Sequence, residues 1–229
     1  MKRLLDNIRR VPGYGWVCGF LYFGLQYGMY RLADLLSRII GTIDHAILPK
    51  IPFIDDRIPL IPIFVVIYLY SYIFWIMGPI IASLTDKKNF VNYIIGLSAA
   101  YLIGFLIFTF FPTYMDRAAE GLMEKVAGGG IFNSMLRTVY GADGGTLAFN
   151  LFPSYHCLIS IYCYLAIRKR EEVSGGVRIY SLVMALLICL STVFTKQHYF
   201  IDIFGGLGIS ILCYIIVQKT DPASKLLKR

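Results

Sequence analysis

His198 and Asp202 stand four residues apart in the stretch Lys-Gln-His-Tyr-Phe-Ile-Asp that runs from 196 to 202. If the backbone there is helical, the two side chains share one face and can touch. Asp202 then accepts the proton on one imidazole nitrogen and keeps the other unprotonated, the state that a nucleophile or a base requires. A second cluster, Pro-Ser-Tyr-His at 153 to 156, begins another apolar run. Two histidines, one carboxylate and a few cations are the parts for phosphoryl transfer through a phosphohistidine. Arg117 and Lys196 are candidate clamps for the phosphate charge. Pro153, near a helix start, leaves free backbone donors beside Ser154 for the same anion. In this scheme His198 attacks phosphorus, and His156 protonates the departing alcohol and then activates water or an acceptor hydroxyl. The pattern calls for no cofactor, and no carboxylate cluster of the kind that holds a metal is visible.

The elements that carry these residues read as membrane helices. Hydrophobic residues make up 57% of the 229, charged residues only 16%, against about 25% charged in soluble domains. The net charge of +8 is scattered in short clusters between apolar runs, which excludes a nucleic-acid-binding face and reads as topology. Five cysteines lie inside apolar segments without metal-type spacing; their odd number excludes a complete disulfide framework and suggests packed free thiols.

The expected fold is all-α, a single polytopic domain of six transmembrane helices over about 16–40, 58–84, 90–111, 152–168, 179–195 and 199–218. The basic start followed by an apolar run has the outline of a signal peptide, but no small-residue cleavage site follows, so a retained first helix is expected. Its far end carries Arg31, Asp34 and Arg38 at pairing distance along a helix. His45 reads as a loop residue. Pro79 is expected to kink or end the second span. The segment 112–150 is a long polar connection with a flexible joint at Gly128, Gly129 and Gly130, and loops of this length are more often functional than idle. Gly205, Gly206, Gly208 and Ser210 give the sixth helix a smooth face for close approach.

Six spans put both termini on one side. Lys2, Arg3, Arg9, Arg10, Lys87, Lys88, Arg168, Lys169, Arg170, Arg178, Lys219, Lys225, Lys228 and Arg229 fall there, and fewer basic residues fall opposite. The positive-inside rule then places the termini in the cytoplasm and Arg117, His156 and His198 at the extracytoplasmic face, with the cell membrane and its lipids as the expected setting.

At these residues the chain resembles the type 2 phosphatidic acid phosphatase superfamily. Phe-Pro-Ser-Tyr-His-Cys, 152–157, is similar to its second signature motif, commonly Pro-Ser-Gly-His. Ser191 to Asp202 is similar to the third, Ser-Arg-x5-His-x3-Asp. Phe110 to Arg117 matches the first motif, Lys-x6-Arg-Pro, only at Arg117. The resemblance implies a six-helix membrane bundle, a phosphorylated lipid substrate, His198 as nucleophile, Asp202 as its partner and His156 as acid and base. The chain departs from the motifs at Phe110, Ala118, Tyr155 and Thr192. Two phosphate-binding cations are thus missing from their usual places; Lys196 is placed to replace one, the plainer reading being an interfacial lysine. Such thinning resembles the branch of inositol phosphorylceramide and sphingomyelin synthases, in which a lipid alcohol resolves the phosphoryl-enzyme. The same histidines therefore suit a hydrolase or a phosphotransferase. From another class, a transporter or non-catalytic membrane protein with a buried proton relay would use the same buried groups. A CDP-alcohol phosphotransferase is disfavoured, because its Asp-rich metal motif has no counterpart.

Overall fold

The computed structural model describes residues 10–228; Lys2, Arg3, Arg9 and Arg229, counted above for topology, lie outside them. Six helices form a bundle: α1 (Gly13–Ile39), α3 (Val65–Ala82), α4 (Lys87–Phe110), α7 (Tyr155–Ile167), α8 (Gly175–Phe194) and α9 (Phe200–Thr220). Short helices α2 (Pro52–Asp55), α5 (Leu122–Ala127), α6 (Ile131–Ala142) and α10 (Pro222–Leu226) lie outside it. Strands β1 (Tyr114–Asp116) and β2 (Leu147–Phe149) pair antiparallel, with Met115 opposite Ala148. The fold is therefore overwhelmingly helical, as composition predicts, with one small two-stranded sheet among the described residues.

Among the described residues four helices are long and apolar enough to cross a membrane: Pro62–Ala82, which joins α3 to its preceding turn, then α4, α8 and α9. The protein is an integral membrane protein. The other two expected spans differ. At 13 residues, α7 rises about 20 Å, short of the ~30 Å hydrocarbon thickness. It is buried along nearly its whole length, because α3, α4, α8 and α9 surround it. The 27 residues of α1 suffice in length, but Gln26, several tyrosines and glycines, Arg31, Asp34 and Arg38 dilute its apolar character. Arg38 pairs with Asp34 at 3.1 Å.

In lipid no hydrophobic force drives one helix onto another, so close backbone approach and interhelical hydrogen bonds must do it. A Cβ on Gly19 would come within 2.7 Å of the Ile76 carbonyl, which seats α1 against α3. On α9 a Cβ at Gly206 would meet the Ser154 carbonyl at 2.6 Å, and Ser210 donates to the Leu158 carbonyl at 2.6 Å. Gly205 faces the Phe152 ring, whereas Gly208 faces open space and is no part of the smooth face. Pro79 does not end its helix, which continues to Ala82. All five cysteines are free, and His45 is exposed.

The expected polar loop 112–150 is folded. Met115, Leu122, Val126, Leu136, Val139, Tyr140 and Ala148 form a core of their own, shared with Val65 and Tyr68 of α3 and with Tyr199. The glycines at 128–130 separate α5 from α6. This unit covers one end of the bundle. At the other end Lys88 pairs with Asp221 at 2.6 Å and Arg170 with Asp86 at 3.3 Å.

Candidate active site

After Phe194 the chain leaves α8 through Thr195 and turns back at Lys196, whose φ is 52°. The turn folds onto the helix end: the Thr192 carbonyl accepts the backbone N–H of Gln197 at 2.9 Å and of His198 at 3.2 Å. Thr192 thus stands buried beneath the turn at the position where a cation was missing. Helix α9 then starts after Tyr199, and Asp202 at its third position accepts the Tyr199 N–H at 2.9 Å as a cap. The same carboxylate oxygen accepts from His198 Nδ1 at 3.3 Å. A helical backbone through 198–202 was expected; the contact arises instead because a capping carboxylate reaches back over a residue that precedes the helix. With Nδ1–H held by Asp202, Nε2 of His198 is the ring nitrogen left without a proton.

Asp202 is fully buried and also fixes the second motif, since its carbonyl accepts the Ser154 N–H at 3.1 Å. Ser154 caps α7 by accepting the Cys157 N–H at 3.4 Å. These ties, with Gly206 allowing the approach, place His156 in the first turn of α7 beside His198. The ring centroids are 5.9 Å apart at 61°. His156 is stacked on Tyr68 at 4.2 Å and backed by Trp75 at 4.7 Å. Its Nε2 has no hydrogen-bond partner among the described residues. Both imidazoles line one cavity of about 430 Å³ that runs between α1, α3, α6 and the 149–151 segment. Burial pushes the His198 pKa down, but the hydrogen bond and charge of Asp202 outweigh it and hold it above the ordinary 6.5.

The other expected residues lie at different distances from this pair. Arg117, directly after β1, is completely buried. Its Nη1 donates to the carbonyls of Gly145 at 2.9 Å and Asp143 at 3.1 Å, and its Nη2 to the Asp143 carboxylate at 2.7 Å and to Gln197 Oε1 at 3.0 Å. The guanidinium lies over the Tyr140 ring at 4.5 Å. Arg117 thus organises the covering unit and reaches the site through Gln197. Ser154 is fully buried as a helix cap and is not part of the cavity wall. Lys196 faces elsewhere: its Nζ donates to the Asp55 carbonyl at 2.9 Å, and it lines a separate cavity of about 480 Å³ with Lys50, Glu120 and Lys125. Burial lowers its pKa. Among the described residues no three His, Cys, Asp or Glu side chains gather as metal ligands.

Three residues of the cavity wall carried no signal by motif. Asn150, Gln197 and Asp143 line it together with the histidines. Asn150 was findable as an asparagine at a turn ahead of a proline, and Gln197 as the polar neighbour of His198.

The segments that converge here, 152–157 and 191–202, fall inside a stretch matched by a family model. The model for the PAP2 superfamily covers residues 43–216. The chain belongs to the PAP2 superfamily. Members of the superfamily act on phosphorylated lipids in membranes as phosphatases or phosphotransferases. The inositol phosphorylceramide synthase catalytic subunit aur1 of Schizosaccharomyces pombe is 26% identical over 107 residues, which is 47% of this chain. The aligned segment spans 24% of that relative's own length. No solved structure matches the chain. The PAP2 match begins at residue 43, ahead of α2, and so takes in Asp55. That carboxylate accepts the Phe200 N–H at 2.8 Å and the Ile51 N–H at 2.7 Å, anchoring the start of α9.

Proposed function

We propose that the protein is a lipid phosphate phosphatase of the membrane that works without a metal, through a phosphohistidine at His198. The observation that carries this reading is the pair of imidazoles 5.9 Å apart in one cavity, one of them held at Nδ1 by a buried carboxylate. Two rings lining one cavity at that spacing can both reach a single phosphoryl group, one nitrogen toward phosphorus and the other toward the leaving oxygen. Nε2 of His198 forms a bond to phosphorus while the P–O bond to the lipid alcohol breaks, and His156 gives its proton to the departing oxygen. In the second half His156 takes a proton from water, whose oxygen attacks phosphorus as the N–P bond breaks, restoring both rings. Asp202 keeps the His198 ring in the productive tautomer and stabilises it as charge develops. The first-turn amides of α7 supply donors for the phosphoryl oxygens.

The similarity to aur1 favours a second reading of the same site, in which a lipid alcohol replaces water as acceptor. Topology follows the charge: the basic clusters lie at the end of the bundle away from the histidines, which supports an extracytoplasmic site.

The test is a labelled phosphoryl-enzyme. Purified protein given a phospholipid labelled at phosphorus should form an acid-labile, base-stable adduct that His198→Ala lacks and that His156→Ala forms slowly. Free phosphate as product supports the phosphatase; a labelled lipid that needs added ceramide or diacylglycerol supports the transferase. A labelled adduct persisting in His198→Ala would sink the assignment.

A further inference from the structure

Two carboxamides in the cavity wall have no task in the phosphoryl chemistry. Asn150 is 3% exposed and Gln197 2% exposed, and both line the cavity that holds the imidazoles. Neither Oδ1 nor Nδ2 of Asn150 has a hydrogen-bond partner among the described residues, and the same holds for Nε2 of Gln197. Buried amides are otherwise almost always paired, and leaving one unsatisfied is costly.

Gln197 is held through its side chain and Asn150 through its backbone. Oε1 of Gln197 accepts from Arg117 at 3.0 Å, which makes Nε2 the atom left over. Asn150 sits at φ 59°, in the left-handed region that asparagine tolerates, with its N–H on the Thr113 carbonyl at 2.8 Å. The next two N–H groups both donate to the Thr113 hydroxyl, at 3.0 and 2.8 Å. The backbone around Asn150 is therefore pinned.

The chemistry of the free atoms selects the ligand. They comprise two amide donor groups and one amide acceptor, all uncharged. A second phosphate would call for donors alone, and an ammonium for acceptors alone. A hydroxyl group needs one of each, giving its proton to Asn150 Oδ1 and accepting from Nδ2 or from Gln197 Nε2. We propose that Asn150 and Gln197 form a hydroxyl-recognition subsite beside the histidines, which selects phosphate esters whose alcohol part carries further hydroxyl groups. This rests on the reading of His198 and His156 as the phosphoryl site.

The test uses two phosphonates that cannot be cleaved and that differ only in hydroxyl groups, propylphosphonate and 2,3-dihydroxypropylphosphonate. Trp75 lines the same cavity, so binding to the full chain in detergent can be followed by tryptophan fluorescence. The wild type should bind the dihydroxy compound at least about tenfold more tightly. Asn150→Gly tolerates the backbone angle and removes the amide; Gln197→Glu keeps the acceptor for Arg117 and removes the donor. Each should bring the ratio of the two dissociation constants to within about twofold of one. The charge added by Gln197→Glu opposes both compounds alike, so the ratio remains the readout, and either variant alone suffices if the other fails to fold. A wild-type ratio near one with propylphosphonate still bound, or a ratio surviving both substitutions, overturns the subsite and leaves the phosphoryl site standing. If neither phosphonate binds the wild type, the phosphoryl site falls and the subsite with it.

Discussion

Asp202 has two tasks that separate under titration. It caps α9 and it raises the His198 pKa above 6.5. An imidazole that attacks phosphorus, as proposed for His198, must be neutral, so activity is expected to be lost as pH falls through that raised value, with the acid limb of kcat/KM above pH 6.5. Asp202→Asn removes the charge, lets burial dominate and moves the limb to lower pH, while the disturbed tautomer lowers kcat by about 10²–10⁴-fold. A pH–rate profile of both proteins checks this; an unmoved limb would assign it to another group. Arg117 and Lys196 divide in a second way. Losing the buried guanidinium strands several carbonyls and the Asp143 charge, so Arg117→Met should cost about 3–5 kcal/mol in unfolding as well as activity. A phosphate ligand facing open space would show the kinetic loss alone. Lys196→Ala should leave kcat within about threefold, since an exposed or half-buried lysine away from the reacting atoms contributes little; a drop beyond a hundredfold in steady-state assays would return it to the site.

At the scale of elements, the contact of α7 with α9 is where a single carbon matters. Gly206→Ala would set a Cβ 2.6 Å from the Ser154 carbonyl and 2.9 Å from the Leu158 N, both of them backbone atoms that cannot swing aside. Overpacking of this kind costs about 1–3 kcal/mol, and here it also parts His156 from His198. Thermal unfolding and turnover should fall together, whereas Gly208→Ala, facing open space, should change neither. These helices were legible in the sequence because long apolar runs bounded by charge leave few alternatives, and the ends of α4 and α9 lie within a few residues of expectation. The unit at 112–150 was not. Its strands are three residues each, too short for periodicity, and it is held by Arg117 gathering carbonyls, which no local pattern announces. In the site itself the two histidines and Asp202 could be read from motif and spacing. Lys196 was expected beside the phosphate; its side chain reaches the Asp55 carbonyl instead, because a left-handed residue reverses the chain there, which spacing along the sequence does not announce.

For the whole molecule, one end of the bundle carries the basic clusters and the other carries the folded unit over the histidines. Cysteine placed at Gly129 should react with a membrane-impermeant maleimide on intact cells, and cysteine at Lys169 only after lysis. The reverse pattern would invert the topology. Four of the five native thiols are buried, so background labelling should be low. Asp55 joins these two halves of the chain, for the helix that bears Asp202 begins on a carboxylate supplied from well over a hundred positions upstream. The reactive segments are consequently not a portable C-terminal cassette. A chimera that transplanted residues 150–216 onto an unrelated membrane scaffold would inherit both rings yet lack the peg on which their helix is hung, and exchange between relatives should succeed only when the 50–56 stretch travels with them.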